Sequence, residues 1–337
     1  MIALAEAGVS VFDSTFSNFW LVLIIKVVAV VGFFLVAPLA VGYTEHKVLA
    51  HMQARFGPME AGGFHGWAQL VADGVKFIQK EDIVPRAADR AVFSLAPAVA
   101  MVPYIVLFVV IPFSPTLFAV NLDLGVFFLL AISSVSVIGT LMAGWASANK
   151  FSLIGALRAA AQLIAYELPL VLAAAAIVMQ AGTMSLVGIT EAQAPAWYIL
   201  SQPIGFLIFM TAALAELTRP PFDMPVADSE IIFGALTEYT GLKFAFFLLA
   251  EYGGIVALAA IASVLYLGGY RALPGLSAIP PPFWMLAKIG ALSFVVIWLR
   301  ATYPRLREDQ LQRFAWLALI PLALVQIMVV AILVVAF

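Results

Sequence analysis

The stretch AELTRPPFDMPVADSEIIFGALTEYTG, Ala215 to Gly241, is an acid-rich interruption in a chain that is otherwise strongly apolar. It carries five carboxylates and one arginine: Glu216, Asp223, Asp228, Glu230, Glu238 and Arg219. Apolar runs long enough to cross a bilayer flank it, near residues 199–217 and 242–267. Long apolar runs joined by short polar segments predict an all-α polytopic membrane protein.

The composition of the whole chain supports this class. Of the 337 residues, 64% are hydrophobic and 11% are charged, whereas soluble domains have about 45–50% apolar and about 25% charged residues. The formal net charge of −2 gives no basis for nucleic-acid binding. No basic region precedes the first apolar residues, so we predict no cleaved signal peptide. We expect residues 1–337 to form a single integral membrane domain.

Eight segments meet the requirement of roughly 20 apolar residues for a transmembrane helix. They lie near 17–42, 91–113, 124–146, 155–181, 199–217, 242–267, 283–302 and 314–336. Most basic residues fall in the loops after the first, third, fifth and seventh of these segments, whereas the opposite loops carry only Arg271. The positive-inside rule therefore places both termini outside and the opening stretch in a cytoplasmic loop.

The first of these cytoplasmic loops contains the segment GGFHGWAQLVADGVKFIQKED, residues 62–82. Its apolar residues at helical spacing are Leu70, Val71, Val75 and either Phe77 or Ile78, which can share one face. This spacing predicts an amphipathic helix that lies along the membrane surface. The alternative is an ordinary solvated loop helix.

Three glutamates fall within or at the end of predicted spans, namely Glu167, Glu216 and Glu251. A charged group at mid-bilayer costs roughly 2.5–3.5 kcal/mol on insertion scales, and burial shifts the pKa of a carboxyl group toward neutrality. Such a group can gain and lose a proton near physiological pH. A single acid of this kind could serve as a structural hydrogen-bond partner. Three, next to an acid-rich loop, predict a polar path into the bilayer.

The chain contains no cysteine, which excludes disulfides, cysteine-ligated iron–sulfur clusters and thiolate zinc sites within it. Its histidines, His46, His51 and His65, fall in one predicted polar loop, so a bis-histidine haem within the membrane is not expected. Together with Glu45 they lack the spacing of metal ligands, and we predict no metal site. Any redox cofactors would belong to partner chains.

Six segments, in order along the chain, resemble one known family. Besides the opening stretch they are EHKVLAHMQARFGP, LVADGVKFIQKEDIVP, GWASANKFSLIGALRAAAQLIAYE, LLAEYGG and LRATYPRLREDQL. Together they resemble the H-subunit family of proton-pumping NADH–quinone oxidoreductase, respiratory complex I. The resemblance covers nearly the whole chain.

This resemblance implies a membrane subunit that joins the peripheral redox arm to the adjacent membrane-arm subunits and lines a quinone chamber. It implies quinone as substrate and no cofactor bound by this chain alone, with NADH, FMN and iron–sulfur clusters in partner subunits. It also implies location in the lipid bilayer of the bacterial inner membrane.

The matching motifs assign two sets of residues. The proton path would comprise Glu167, Glu216, Glu230, Glu238, Glu251 and Asp228. The quinone-binding positions would be Glu45, Arg55, Asp73, Arg158, Arg219 and Asp223. In the second set the arginines would balance the acids and position a quinone headgroup.

The chain departs from the family pattern at a few positions, and other functions compete. Val226 and Asp228 stand where the family usually has glutamate. The related anchor subunit of energy-converting membrane-bound hydrogenases is one alternative, although LRATYPRLREDQL and the context of Gln162 favour the quinone-linked branch. A secondary carrier would explain the intramembrane acids but neither the amphipathic loop nor the six ordered motifs. A purely structural anchor is a third alternative.

Overall fold

The computed structural model of the protein describes residues 10–15, 18–273 and 278–336, and these form an all-α membrane protein with no strand among them. Seven helices are long and apolar enough to cross a membrane. They are α2 (Phe19–Met52), α4 (Arg90–Val110), α5 (Gly125–Ala146), α6 (Lys150–Ala181), α11 (Gly241–Tyr266), α12 (Pro281–Thr302) and α13 (Glu308–Ala336). The shorter helices are α1 (Val11–Thr15), α3 (Gln69–Gln79), α7 (Leu186–Ala192), α8 (Tyr198–Ser201), α9 (Pro203–Glu216) and α10 (Asp228–Ile231). The predicted fold class is confirmed.

The predicted span at 199–217 is two helices, α8 and α9, separated by a break at Gln202. Helix α9 has 14 residues, about 21 Å of rise, which is less than the roughly 30 Å of a bilayer core. Side-chain amides cover the break: Gln326 Nε2 donates to Gln202 Oε1 at 2.9 Å, and Gln202 Nε2 donates to Gln180 Oε1 at 2.6 Å. A Cβ on Gly205 would lie 2.1 Å from Gln326 Nε2, so only glycine allows this approach.

Helix α2 is longer than the predicted span at 17–42. It begins after Asn18, whose Oδ1 accepts from the backbone N–H of Trp20 at 3.0 Å, and it continues for 34 residues, about 51 Å of rise. No glycine or proline interrupts it between Gly42 and its end. Consequently His46 and His51 lie on the helix, and the prediction that they lie in a loop is wrong.

The centre of the bundle is α11, whose residues from Gly253 to Tyr266 are all buried. Glycines let neighbouring helices approach closely, as is common in membrane bundles. A Cβ on Gly253 would meet Phe34 of α2 at 2.5 Å, and a Cβ on Gly139 would meet the backbone N of Ala100 at 2.4 Å. The first of these contacts holds α11, which carries Glu251, against α2.

The predicted surface helix is α3. Its apolar side chains lie on two different sides of the helix. Leu70 and Phe77 are half-buried, and Phe77 lies with its ring centroid 5.8 Å from that of Phe244 on α11. Val71 and Ile78 are exposed. One side of α3 therefore packs on the bundle and the other faces its surroundings, as an interfacial helix requires.

The first loop is fastened to the beginning of α11. The hydroxyl of Thr240 donates to the carbonyl of Glu81 and accepts from the backbone N–H of Ile83, both at 3.1 Å. Next to this pair, Lys243 Nζ lies 2.8 Å from Asp82 Oδ2. These contacts hold α3 against the end of the bundle where α2 and α12 end and α11 begins, here called the basic end.

The opposite end of the bundle is closed by a lysine. Lys288 Nζ donates to the carbonyls of Leu267, Gly269 and Arg271 at 2.6–2.7 Å and lies 4.3 Å from the ring centroid of Trp197. A three-donor ammonium thus satisfies three carbonyls that follow the end of α11.

A second ion pair forms near the start of the chain. Lys26 Nζ of α2 lies 2.8 Å from Asp13 Oδ2 of α1. This bond, followed by one from Ser10, lowers the pKa of Asp13 below its usual 3.8.

Candidate functional site

Four charged side chains meet at the basic end, and we call them the Arg219 network. Arg219 Nη1 lies 2.8 Å from Glu45 Oε2 of α2, and Arg219 Nε lies 2.7 Å from Glu251 Oε1 of α11. Glu45 also pairs with Arg300 of α12. The Arg219 and Glu45 side chains are each only 2% exposed. The network therefore joins three helices and the segment after α9 through charge.

Arg219 stays charged despite its burial. Burial alone lowers the pKa of a guanidinium, but the carboxylates of Glu251 and Glu45 outweigh this effect and raise the pKa of Arg219 above its usual value. The guanidinium also lies 4.8 Å from the ring centroid of Tyr252, close enough for a cation–π contact. A fixed positive charge is thus held in an otherwise apolar bundle.

A cavity of about 280 Å³ adjoins the network. The acidic and basic residues that line it are Glu216, Arg219, Asp223, Glu251, Arg300 and Arg305. The structure therefore brings together five of the predicted site residues: Glu216, Arg219, Asp223 and Glu251 in the cavity wall, and Glu45 bonded directly to Arg219.

Glu216 is the last residue of α9 and is only 8% exposed. Its Oε1 atom makes no hydrogen bond within the described part of the chain. Gln162 of α6 fixes this helix end, because its Nε2 donates to the carbonyls of Ala215 at 2.6 Å and Phe222 at 2.8 Å. The amide thereby holds the end of α9 and the following loop beside the cavity.

Asp223 and Arg305 form the wall of the cavity nearest the loops. Arg305 Nε and Nη2 donate to the two oxygens of Asp223 at 2.7 and 2.8 Å, a bidentate pair. The backbone N–H of Leu306 donates to the carbonyl of Pro221 at 3.0 Å in the same place. The loop between α12 and α13 is thus clamped onto the PPFD segment.

Three of the other predicted residues form polar contacts outside the cavity wall. Arg158 Nη1 lies 2.5 Å from Glu230 Oε2, with Glu308 4.0 Å from its Nε. Glu238 accepts a hydrogen bond from Asn149 Nδ2 at 2.6 Å. These contacts tie the segment 228–238 to α6 and α13.

Of the remaining four predicted residues, Arg55, Asp73 and Glu167 are not joined to the network within the described part of the chain. Arg55 is exposed and bonds Gln53 at 2.9 Å, and Asp73 accepts a hydrogen bond from within α3. Glu167 is half-buried in α6 and forms no hydrogen bond or ion pair with any described residue. Asp228 begins α10, but its side chain lies outside the described part. Within that part no three histidine, aspartate or glutamate side chains converge as metal ligands.

Arg300 and Arg305 are site residues that the sequence predicts only as loop charges. Both lie in the segment LRATYPRLREDQL, so the motif itself was a usable signal. Tyr104 and Ser136, which line the cavity from α4 and α5, are not among the predicted site residues either. A single tyrosine and serine within apolar runs give no signal of this kind.

Comparison with known proteins identifies the family of this chain. The model of the NADH dehydrogenase family matches residues 25–331. The NADH-quinone oxidoreductase H-subunit of Geobacillus kaustophilus is 46% identical over 288 residues, 86% of each chain. That of Geobacillus thermodenitrificans is 46% identical over 303 residues, 90% of each chain. That of Bacillus cytotoxicus is 44% identical over 322 residues, 95% of this chain and 96% of the relative. The family model covers most of this chain, and these relatives align with it over most of their own length. This chain therefore belongs to the NADH dehydrogenase family.

Proposed function

We propose that this chain is the membrane subunit of an NADH-quinone oxidoreductase that lines its quinone chamber and couples quinone reduction to proton translocation. The family and the names of its relatives support a membrane subunit of this oxidoreductase. The observation that best supports the quinone chamber and the proton coupling is the Arg219 network, which adjoins a cavity lined by the buried Glu216.

The chemistry follows from charge compensation. A quinone that accepts two electrons takes up two protons, and before they arrive it carries negative charge. Arg219 and Arg300 would stabilise this charge, and both now pair with the single carboxylate of Glu45. A competing anion would weaken those bonds and that between Arg219 and Glu251. Released carboxylates then bind protons more strongly, which couples quinone charge to proton uptake.

The predicted proton path would begin at this network. In our proposal Glu251 accepts protons next to Arg219, Glu216 receives them across the cavity, and Glu167 carries them onward along α6. Asp223 would act beside Arg219 at the quinone end.

The other predicted positions would act with neighbouring subunits. Among the described side chains, those of Arg55, Asp73, Arg158, Glu230 and Glu238 lie outside the cavity wall, and Asp228 is the sixth predicted position of this group. We propose that the first three face the quinone and the peripheral redox arm, which would carry NADH, FMN and iron–sulfur clusters. The last three, Glu230, Glu238 and Asp228, would conduct protons away from that interface. The proposal places the chain in the bacterial inner membrane with both termini outside, beside the other membrane-arm subunits.

The test is Glu216→Gln in the intact complex, a change that keeps side-chain size and removes the titrating group. We expect NADH-driven proton pumping in membrane vesicles to fall by about tenfold or more, while NADH oxidation by a soluble artificial acceptor stays at the wild-type rate. Glu191→Gln is the matched control, because Glu191 is exposed and does not line the cavity. Pumping by Glu216→Gln at the wild-type rate would refute the proton path.

The same preparation tests the quinone-linked part. The complex should reduce a short-chain quinone with electrons from NADH, and a quinone-site inhibitor should block this reaction. A complex that evolves hydrogen and reduces no quinone would instead assign the chain to the hydrogenase-type branch.

A further inference from the structure

Tyr104 places a hydroxyl group within the cavity. It lies in α4, is 5% exposed, and lines the same cavity as Glu216 and Glu251. Ser136 of α5 donates a hydrogen bond from its Oγ to Tyr104 Oη at 3.0 Å. The tyrosine hydroxyl and both carboxyl groups thus belong to the wall of one cavity.

The bond from Ser136 leaves the tyrosine proton available. Tyr104 Oη makes no other hydrogen bond within the described ranges, so its O–H is free to donate to a group in the cavity. The ring is held in place by Gly254, one turn after Glu251, where an added Cβ would meet the ring carbons at 3.0 Å. Packing therefore fixes the position of the ring, and the bond from Ser136 orients the hydroxyl group.

Other buried tyrosines use their hydroxyl groups differently. Tyr166 donates to the carbonyl of Leu311 at 2.9 Å, and Tyr266 donates to the carbonyl of Ala173 at 3.2 Å. Those bonds satisfy backbone groups between packed helices. Tyr104 instead has a hydroxyl group as partner and two carboxyl groups as neighbours, which is the arrangement of a proton relay.

We propose that Tyr104, oriented by Ser136, passes protons between Glu251 and Glu216. The inference deepens the proposed function and rests on it. A proton moves from the Glu251 carboxyl group to the tyrosine oxygen, directly or through water, while the tyrosine proton moves to the Glu216 carboxylate. Tyr104 remains neutral at the end, Glu216 is protonated and Glu251 is ionised beside Arg219. Ser136 positions the hydroxyl without exchanging a proton.

The first test is Tyr104→Phe in the intact complex, which removes one oxygen and keeps the ring. We expect proton pumping to fall by about tenfold or more, with unchanged complex content and unchanged NADH oxidation by a soluble acceptor. Tyr266→Phe is the matched control, because it removes a buried tyrosine hydroxyl that does not line the cavity. It should pump at the wild-type rate.

The outcomes separate this inference from the function on which it rests. Full pumping by Tyr104→Phe, with impaired Glu216→Gln, overturns the relay and leaves the proton path. Full pumping by both variants overturns the proton path itself. An equal loss in Tyr266→Phe would also overturn the relay, because the effect would then come from packing.

Ser136→Ala provides the second test and covers the case in which Tyr104→Phe fails to assemble. The tyrosine hydroxyl keeps its proton but loses its fixed orientation, so we expect pumping to fall about threefold to tenfold. The wild-type rate in Ser136→Ala would contradict the positioning role.

Discussion

Replacing Arg219 with glutamine tests whether the Arg219 network stabilises the folded subunit. The change leaves Glu45 buried at 2% exposure, with Arg300 as its remaining partner. Removing one partner of a buried ion pair typically costs about 3–5 kcal/mol. Arg300 partly compensates Glu45, and Glu251 is 34% exposed and can be hydrated. We therefore expect the lower end of that range, about 3 kcal/mol.

The two single variants, Arg219→Gln and Glu45→Gln, and the double variant form a double-mutant cycle, in which the free energies of unfolding are compared. Glu45→Gln should cost about as much as Arg219→Gln, because each leaves a buried charge with one fewer partner. The double variant should cost much less than the sum of the two, since its two amides leave neither charge of that pair behind. Thermal unfolding midpoints of the intact complex in detergent report all three values.

The control is Arg307→Gln, the same chemical change at a side chain that is 80% exposed. Its partner Asp309 lies at the surface, so the unfolding midpoint should hardly move. If the midpoint of Arg219→Gln matches that of Arg307→Gln, the buried network does not stabilise the protein. If the double variant loses the full sum, the two charges are not coupled.

Three further predictions concern features away from the cavity. Lys288→Met leaves three backbone carbonyls without their donor, so the unfolding midpoint should fall, whereas an unchanged midpoint would mean that water replaces the ammonium. Gly205→Ala should also lower the unfolding midpoint, because the new methyl group displaces Gln326 from the helix break. Its control is Gly32→Ala, which should leave the unfolding midpoint unchanged because no atom lies within 4 Å of the added Cβ. The lowered pKa of Asp13 means that its bond stabilises the fold fully above pH 3.8 and is lost as the pH falls below that value. Midpoints of Asp13→Asn and wild type should therefore differ at pH 7 and converge as the pH falls through the lowered pKa of Asp13.

Much of the fold was predictable because hydropathy depends on local sequence. All seven long helices coincide with predicted spans, and α3 follows from apolar spacing alone. The errors concern where helices begin and end. A new helix begins at Pro203, inside the predicted span at 199–217. Helix α2 continues to Met52, because its polar last part contains no glycine or proline after Gly42 to end it.

The site was predictable only in part. The positions of Glu216 and Glu251 within apolar runs drew attention to them, because acids there are costly. The bond between Glu45 and Arg300 joins residues 255 positions apart, and no spacing rule predicts such a contact. Side-chain partners across helices are set by tertiary packing, which hydropathy does not describe.

The separation of these partners also has a consequence for how the chain is made. Glu45 and Arg219 are 174 positions apart, and synthesis at about 5–20 residues per second needs about 9–35 s to cover that distance. During this interval α2 is already inserted while its buried carboxylate has no counter-charge. We expect the nascent α2 to keep Glu45 at the water-exposed edge until Arg219 and then Arg300 of α12 have been made. Helix α2 would then pack into the bundle only after the whole chain has been inserted. In truncated chains α2 would stay unpacked, and membrane proteases could cleave them.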